Sequence, residues 1–454
     1  MSVVQSPSRT PARASVRDTV RVGLTVLAPT VARGILARRP RAVTLAEKID
    51  ADRRAGRVLQ KLRSRYGPGP LQLSVPWRSI ALVLSSEDVT RVLTGSPEPF
   101  AVANREKRGA LAHFQPHGVL VSHGAERADR RRFNEAVLDT DRPVHSSAEA
   151  ITAKIQDEAG ALLGSVTDTL TWDEFRTAWW RLIRRIVLGD GARDDSELSD
   201  LLTRLRMDAN WSYFHPRRDV VRHRFKERLR EHLRRAEPGS LAEMMAATPQ
   251  TPQTEAEDQV PQWLFAFEPA GMAAFRALAL LASHPGQAQQ AYAELKGRDL
   301  AQPQDLPFLR ACVQESVRLW PTTLAVLRDS TTETRWAGGV LPQGTALVIL
   351  TSFLQRDDEN LPFADAFAPE IWLDGTAQES WAVIPFSAGP AECAGRNLVL
   401  LVTSMFLAAL LKEHEFRLAS GRRLGPGRPL PRTLGPFNLR LRLRPREEGR
   451  AAHE

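Results

Sequence analysis

The chain has 454 residues, 43% of them hydrophobic, and 62 Lys and Arg against 53 Asp and Glu, for a formal net charge of +9. That length accommodates one large domain or two ordinary ones, and only 2 cysteines exclude a disulfide scaffold and point to a reducing compartment. The basic excess, mostly arginine, suits a docking face for an acidic partner; with no basic stripe interleaved with aromatics, nucleic acid is not expected as a partner.

Residues 1–17 are polar, bear Pro and Arg, and read as disordered. The following stretch, Val20 to Arg39, is apolar but interrupted by Arg21, Pro29 and Arg33. It is too broken for a membrane span and lacks the cleavage site of a signal peptide, so a peripheral membrane contact is the most it suggests. Leu45 to Arg65 reads as one charged amphipathic helix, and Leu71–Val75 with Ile80–Leu84 as paired strands. Ser85, with Asp88 three residues on, caps a short helix ending near Leu93. Ala101 to His123 is loop-like; a basic helix starts at Gly124. Helical patterns then cover Ile151–Leu163, Phe175–Leu188, Ser196–Arg206 and Arg217–Arg235. A polar linker, Pro249–Pro261, precedes Trp263–Ser283, which is apolar all round apart from Glu268 and Arg276 and is therefore expected to be buried. Strands return after Pro321, as at Leu347–Leu350, near Leu418 and over Asn438–Leu443. With no internal repeat and no alternating βα pattern, the fold class is mainly α with small sheets at the edges. We expect a partly disordered extension over residues 1–40, a single domain over 41–445 and a disordered tail over 446–454.

The chemistry concentrates in WAVIPFSAGPAECAGRNLVLL, from Trp381 to Leu401. Cys393 sits there in a tight loop that feeds an apolar helix, and a helix N-terminus favours a thiolate and lowers its pKa. Such a cysteine is a nucleophile, a metal ligand or a small structural residue. The nearest histidine in sequence, His414, lies beyond the following helix, and no second Cys or His stands at metal-ligand spacing. Haem iron needs only one protein thiolate, because the porphyrin supplies four ligands, and glycines would let a flat macrocycle approach the backbone. Cys312, in a helical pattern, reads as a core residue.

Phe386, Gly389, Cys393 and Gly395 together meet the pattern Phe-x-x-Gly-x-x-x-Cys-x-Gly. This resembles the haem-binding loop of the cytochromes P-450. The resemblance implies the family's helical prism with small β-sheets, haem b (iron protoporphyrin IX) as cofactor, and Cys393 as its proximal ligand. Ala391 stands where the family usually has a His or Arg reaching a haem propionate. Glu315 and Arg318, three apart on one helix face, resemble the family's Glu-x-x-Arg motif; the Arg that usually completes that network is replaced by Ile371. The apolar helix resembles the helix crossing the distal haem face. Aligned so, Glu268 takes the position of the family's acid and Pro269 that of its oxygen-activating Thr. We expect Glu268 to serve as the catalytic acid, and Pro269, which lacks an N–H, to kink the helix. For the propionates the resemblance points to Arg328 and Arg131, with Arg127 behind. Pocket walls are implied in Ala101–Val121, near Phe267, in Thr322–Val326 and in Gly435–Asn438.

The function so implied is a haem-thiolate monooxygenase that hydroxylates or epoxidises a hydrophobic small molecule in specialised metabolism. Electrons would come from a separate ferredoxin and ferredoxin reductase, and the protein would be a cytoplasmic monomer with no transmembrane anchor. Peroxygenase, isomerase or dehydratase chemistry on the same haem is the alternative, and a non-catalytic haem-binding protein the third reading.

Overall fold

The structure, a computed structural model, describes residues 11–212, 215–421 and 424–446. The expected disordered ends therefore fall largely outside the described residues. Residues 11–17 do not: Ala14 is buried, its amide donates to the Gln72 carbonyl at 2.9 Å, and the Gln72 amide donates to Ala12 at 2.9 Å. Val22 and Val26 belong to the same core cluster as the strand residues Leu82 and Leu347, so this segment packs onto the body.

Two clusters make up the core. The larger is helical and centres on Trp172–Leu188, Ala256–Leu281, Pro307–Leu319 and Arg396–Leu411. Phe175 is its aromatic hub, with ring centroids 5.0 Å from Phe275 and 5.5 Å from Phe406. The smaller cluster lies against a five-stranded sheet in the order Leu71–Gln72, Ile80–Val83, Ala346–Leu350, Ala325–Ser330, Phe100–Ala101. Ile80–Val83 runs parallel to Ala346–Leu350; the other pairs are antiparallel. A second sheet joins Thr169–Thr171, Arg440–Pro445 and His414–Leu418.

Several helices begin and end where the pattern places them. Ser85 caps its helix by accepting the Asp88 amide at 3.3 Å, and the basic helix runs Gly124–Val137. Others differ for local reasons. Leu45–Arg65 is not one helix: it is split into Pro40–Lys48 and Ala51–Tyr66 at Asp50, whose φ is 42°. A left-handed residue cannot continue a right-handed helix. The loop-like Ala101–His123 contains a helix, Arg105–Leu111, capped by Asn104.

The long helix starts within the expected linker, at Ala256, and runs to Leu281. Glu257 and Asp258 in its first turn favour that start through the helix dipole. It is the one described helix long and apolar enough to cross a membrane, but 78% of its apolar 18-residue stretch is buried within the protein. It also continues through Pro269 rather than ending there. Pro269 leaves the Phe265 carbonyl without its helical amide. Two residues on, the Phe267 carbonyl accepts the Trp179 indole N–H at 2.7 Å. Gly271 makes that approach feasible: a Cβ there would meet the indole at 2.6 Å.

Candidate haem site

The Glu-x-x-Arg helix, Pro307–Leu319, anchors the segment leading to the cysteine loop. Glu315 and Arg318 are both fully buried and ion-paired, with Nε donating at 2.7 Å and Nη2 at 2.6 Å. Arg318 spends its remaining donors on the carbonyls of Gln355, Phe363, Ala364 and Ala366, at 2.9 to 3.2 Å. Glu315 is satisfied without a second arginine: the Ala368 amide and the Trp372 indole N–H each donate to it at 3.0 Å. A buried pair is tolerable only when its lone pairs and protons are used up in this way. Trp372, one residue past Ile371, thus supplies a polar contact in the region of the missing arginine.

The chain then forms the cysteine loop. The Cys393 amide donates to the Phe386 carbonyl at 3.0 Å, and Gly395 caps the helix Arg396–Leu411. Ser387 holds φ 63°, the conformation glycine prefers. Gly389 holds φ +69°, and a Cβ there would strike the Leu93 carbonyl at 2.5 Å. That glycine is therefore required by packing of the loop against the helix Ser86–Thr94, not by a ligand's approach, and it does not line the cavity. Gly395 and Phe386 do line it. Burial pushes the Cys393 thiol above its ordinary range; the Gly395 amide, Arg131 and Arg396 act in the opposite direction without winning. Cys312 is fully buried, as expected of a core residue.

Cys393 opens onto a cavity of about 340 Å³. Across it stand Phe265, Ala266, Phe267, Pro269, Ala270 and Ala273 of the long helix. Val102, Val119 and Leu120 contribute from the expected 101–121 segment, and Thr322, Thr323, Ala325 and Val326 from the stretch after Pro321. Residues 435–438 do not reach this cavity; Phe437 lines a smaller one beside it.

Glu268 is not on the cavity wall either. Its carboxylate turns to the back of the helix and forms an ion pair with Arg206, which is itself buried. One residue of helix is about 100° of rotation, so Pro269 faces the cavity and its neighbour faces away. The expected distal acid is thus redirected by a guanidinium on the helix Ser196–Ala209.

One corner of the cavity is strongly cationic. Arg127, Arg131 and Arg328 meet there with Lys107, which sequence reading missed. Lys107 is signalled only by its place in a basic run, REKR, within a stretch read as loop. Its Nζ donates to the Val102 and Leu327 carbonyls at 2.8 and 3.1 Å, and burial holds its pKa well below the usual lysine range. Arg328 donates to Ser96 at 2.9 Å; burial, then Arg127, lowers it to about 10. The order of preference among the arginines also changes. Arg131 is engaged with Glu135 at 2.5 Å and with the Glu392 carbonyl at 2.6 Å. Arg127 is buried, and its Nε has no hydrogen-bond partner. Buried cations that repel one another and keep a donor unused require an anion.

Residues 221–431 match the Cytochrome P450 family model. The chain is 29% identical to the probable cytochrome P450 4s3 of Drosophila melanogaster over 173 residues, 38% of this chain and 35% of that one. It is 31% identical to the cyclooctat-9-en-7-ol 5-monooxygenase of Streptomyces melanosporofaciens over 169 residues, 35% of this chain and 37% of that one. The matches thus span about a third of the length of these curated relatives. Among solved structures, the retinoic acid-bound cyanobacterial CYP120A1 superposes with a TM-score of 0.69 at 18% identity, covering 85% of this chain and 94% of that one. A zebra fish cytochrome P450 with abiraterone gives 0.67 at 19%, covering 86% and 99%. The fold is that of the cytochromes P450, and the stretch over residues 221–431 is similar to that family in sequence as well.

The family whose model matches residues 221–431 is a haem family, and the cavity suits a haem. A single thiol faces it, no group of three or more His, Cys, Asp or Glu among the described residues could hold a metal alone, and the cationic corner matches a macrocycle bearing two carboxylates.

Proposed function

We propose that this protein is a haem-thiolate monooxygenase acting on a hydrophobic small molecule. The observation that carries the reading is the placing of one thiol, Cys393, and a corner of buried cations on the same apolar cavity. Cys393 would be the iron ligand, and Arg127, Arg328 and Lys107 would hold the propionates of haem b. Haem bound there supplies the activation of dioxygen. The chain's own part is to hold the thiol, exclude water with apolar walls, and neutralise two carboxylates in a buried corner. Electrons would come from a separate ferredoxin system meeting the basic surface. Hydroxylation or epoxidation in specialised metabolism is the reaction we favour, in keeping with the similarity to a Streptomyces monooxygenase. We read the protein as cytoplasmic. Val16, Val20 and Leu24, four apart on one helical face and 70%, 53% and 69% exposed, would allow a peripheral membrane contact.

The reduced, carbon monoxide-bound absorption spectrum tests the thiolate, and incorporation of heavy dioxygen into product tests the reaction. A colourless protein after porphyrin supply, or a Cys393→Ser variant with unaltered pigment, would sink the reading. A second reading, peroxygenase or isomerase-type chemistry, is favoured by one observation: the long helix presents Pro269 to the cavity and turns Glu268 away. Product without heavy oxygen would select it.

A further inference from the structure

Beside the main cavity, across Pro321, lies a second cavity of about 30 Å³. Its wall includes Arg33, Arg38, Arg276, Arg432 and a single acid, Asp52. Two of the arginines are already neutralised. Arg33 makes a two-pronged pair with Asp52 at 2.6 and 2.8 Å, and Arg432 pairs with Asp365 and Asp358. The other two have no carboxylate within ion-pair distance among the described residues. Arg38, half-buried, donates to the carbonyls of Gly34 and Thr322 at 2.8 and 2.6 Å. Arg276, only 7% exposed, donates one bond to the Trp320 carbonyl at 3.1 Å, and its Nε has no hydrogen-bond partner. The acids acting on this pair from outside the wall are committed elsewhere: Glu268 to Arg206, and Glu47 to the Gly435 amide.

We propose that Arg38 and Arg276 bind a carboxylate in this cavity, supplied by the acid end of an apolar substrate or by a small free carboxylate. A planar fork suits a carboxylate, and the space accommodates a group of two or three heavy atoms. The first source follows from the geometry of the two walls. On the long helix Ala270 and Ala273 face the main cavity while Met272 and Arg276 face the small one, and Pro321 borders both. A substrate whose acid lies at Arg276 would direct its apolar body past Pro321 toward Cys393. This source rests on the monooxygenase reading; the anion site itself does not. The two guanidiniums bear the mark of unrelieved charge: burial, with help from neighbouring arginines, lowers Arg38 to about 9, and burial lowers Arg276 to about 10.

Calorimetric titration of the haem-loaded protein with dodecanoate, methyl dodecanoate and acetate tests the site without turnover. Charge-assisted hydrogen bonds predict that dodecanoate binds about tenfold or more tighter than its ester, and that Arg276→Gln and Arg38→Gln each abolish the preference while Arg276→Lys retains part of it. Acetate binding that both glutamine variants remove, with no preference for acid over ester, assigns the site to a free carboxylate. Absence of acetate binding together with equal affinity for acid and ester in the unaltered protein overturns the proposal. So does an acid preference that survives both glutamine substitutions; Arg38, being half-buried, gives the variant more tolerant of change. A pigmented protein indifferent to carboxylates loses this site alone, and a colourless one that still binds them loses the haem reading alone.

Discussion

The indole N–H of Trp372 donates to the buried carboxylate of Glu315 at 3.0 Å, one residue beyond Ile371, which stands where the family's network usually has an arginine. The contact leaves the pair with one formal charge of each sign and no excess, and Glu315 still receives donors on both oxygens. Trp372→Phe keeps the ring and removes the donor. The expected cost is about 1–3 kcal/mol, that of stripping one partner from a buried charge, read as a shift of the denaturation midpoint at constant slope. Arg318→Leu removes far more and should prevent folding altogether.

Glu268→Gln separates a catalytic acid from a structural one. Because the carboxylate pairs with buried Arg206 behind the helix, the substitution leaves an uncompensated guanidinium. A loss of about 3–5 kcal/mol in stability is expected, while the ratio of product formed to electrons consumed stays unchanged. A lowered ratio with unaltered stability would return Glu268 to the cavity.

Gly271→Ala adds one methyl where the Trp179 indole already sits at 2.6 Å. Overpacking of this kind costs about 1–3 kcal/mol. The double variant with Trp179→Leu should recover part of the loss, so the two changes are non-additive in a double-mutant cycle.

The acid limb of stability carries a signature of Asp195. Burial works against its charge, but hydrogen bonds from His232, Arg228 and the Leu198 amide outweigh it and lower its pKa to about 2. The folded pKa lies below the unfolded one, so this stabilisation is complete above about pH 4 and disappears as pH falls toward 2. The amount at neutral pH is about 2 kcal/mol. Asp195→Asn should lower stability at pH 7 and flatten its decline below pH 4, as followed by chemical denaturation across pH.

The cysteine loop was legible because its four spaced residues leave little freedom, and the buried helices because apolar periodicity reports burial directly. What escaped was whatever depends on a partner distant in sequence. Glu268 could be placed on a helix, but the direction it faces is decided by Arg206 from another helix. Arg131 and Arg127 share one helix face, yet only tertiary contacts show the first engaged by Glu135 and the loop carbonyl and the second with a donor to spare. Gly389 reads as making room for a macrocycle, whereas the carbonyl that a side chain there would strike belongs to Leu93, on an element far away in sequence.

Ser79 and Thr345, which share a hydrogen bond of 2.8 Å beside the parallel strand pair, are 266 residues apart. A strand made early in synthesis must therefore wait for most of the polypeptide before its neighbour emerges from the ribosome. Closing so long a loop is slow, and an unpaired apolar edge invites association in the meantime. Yield of active protein should accordingly rise when synthesis is cool and sparse, or when chaperones cover Ile80–Val83 until Ala346–Leu350 arrives.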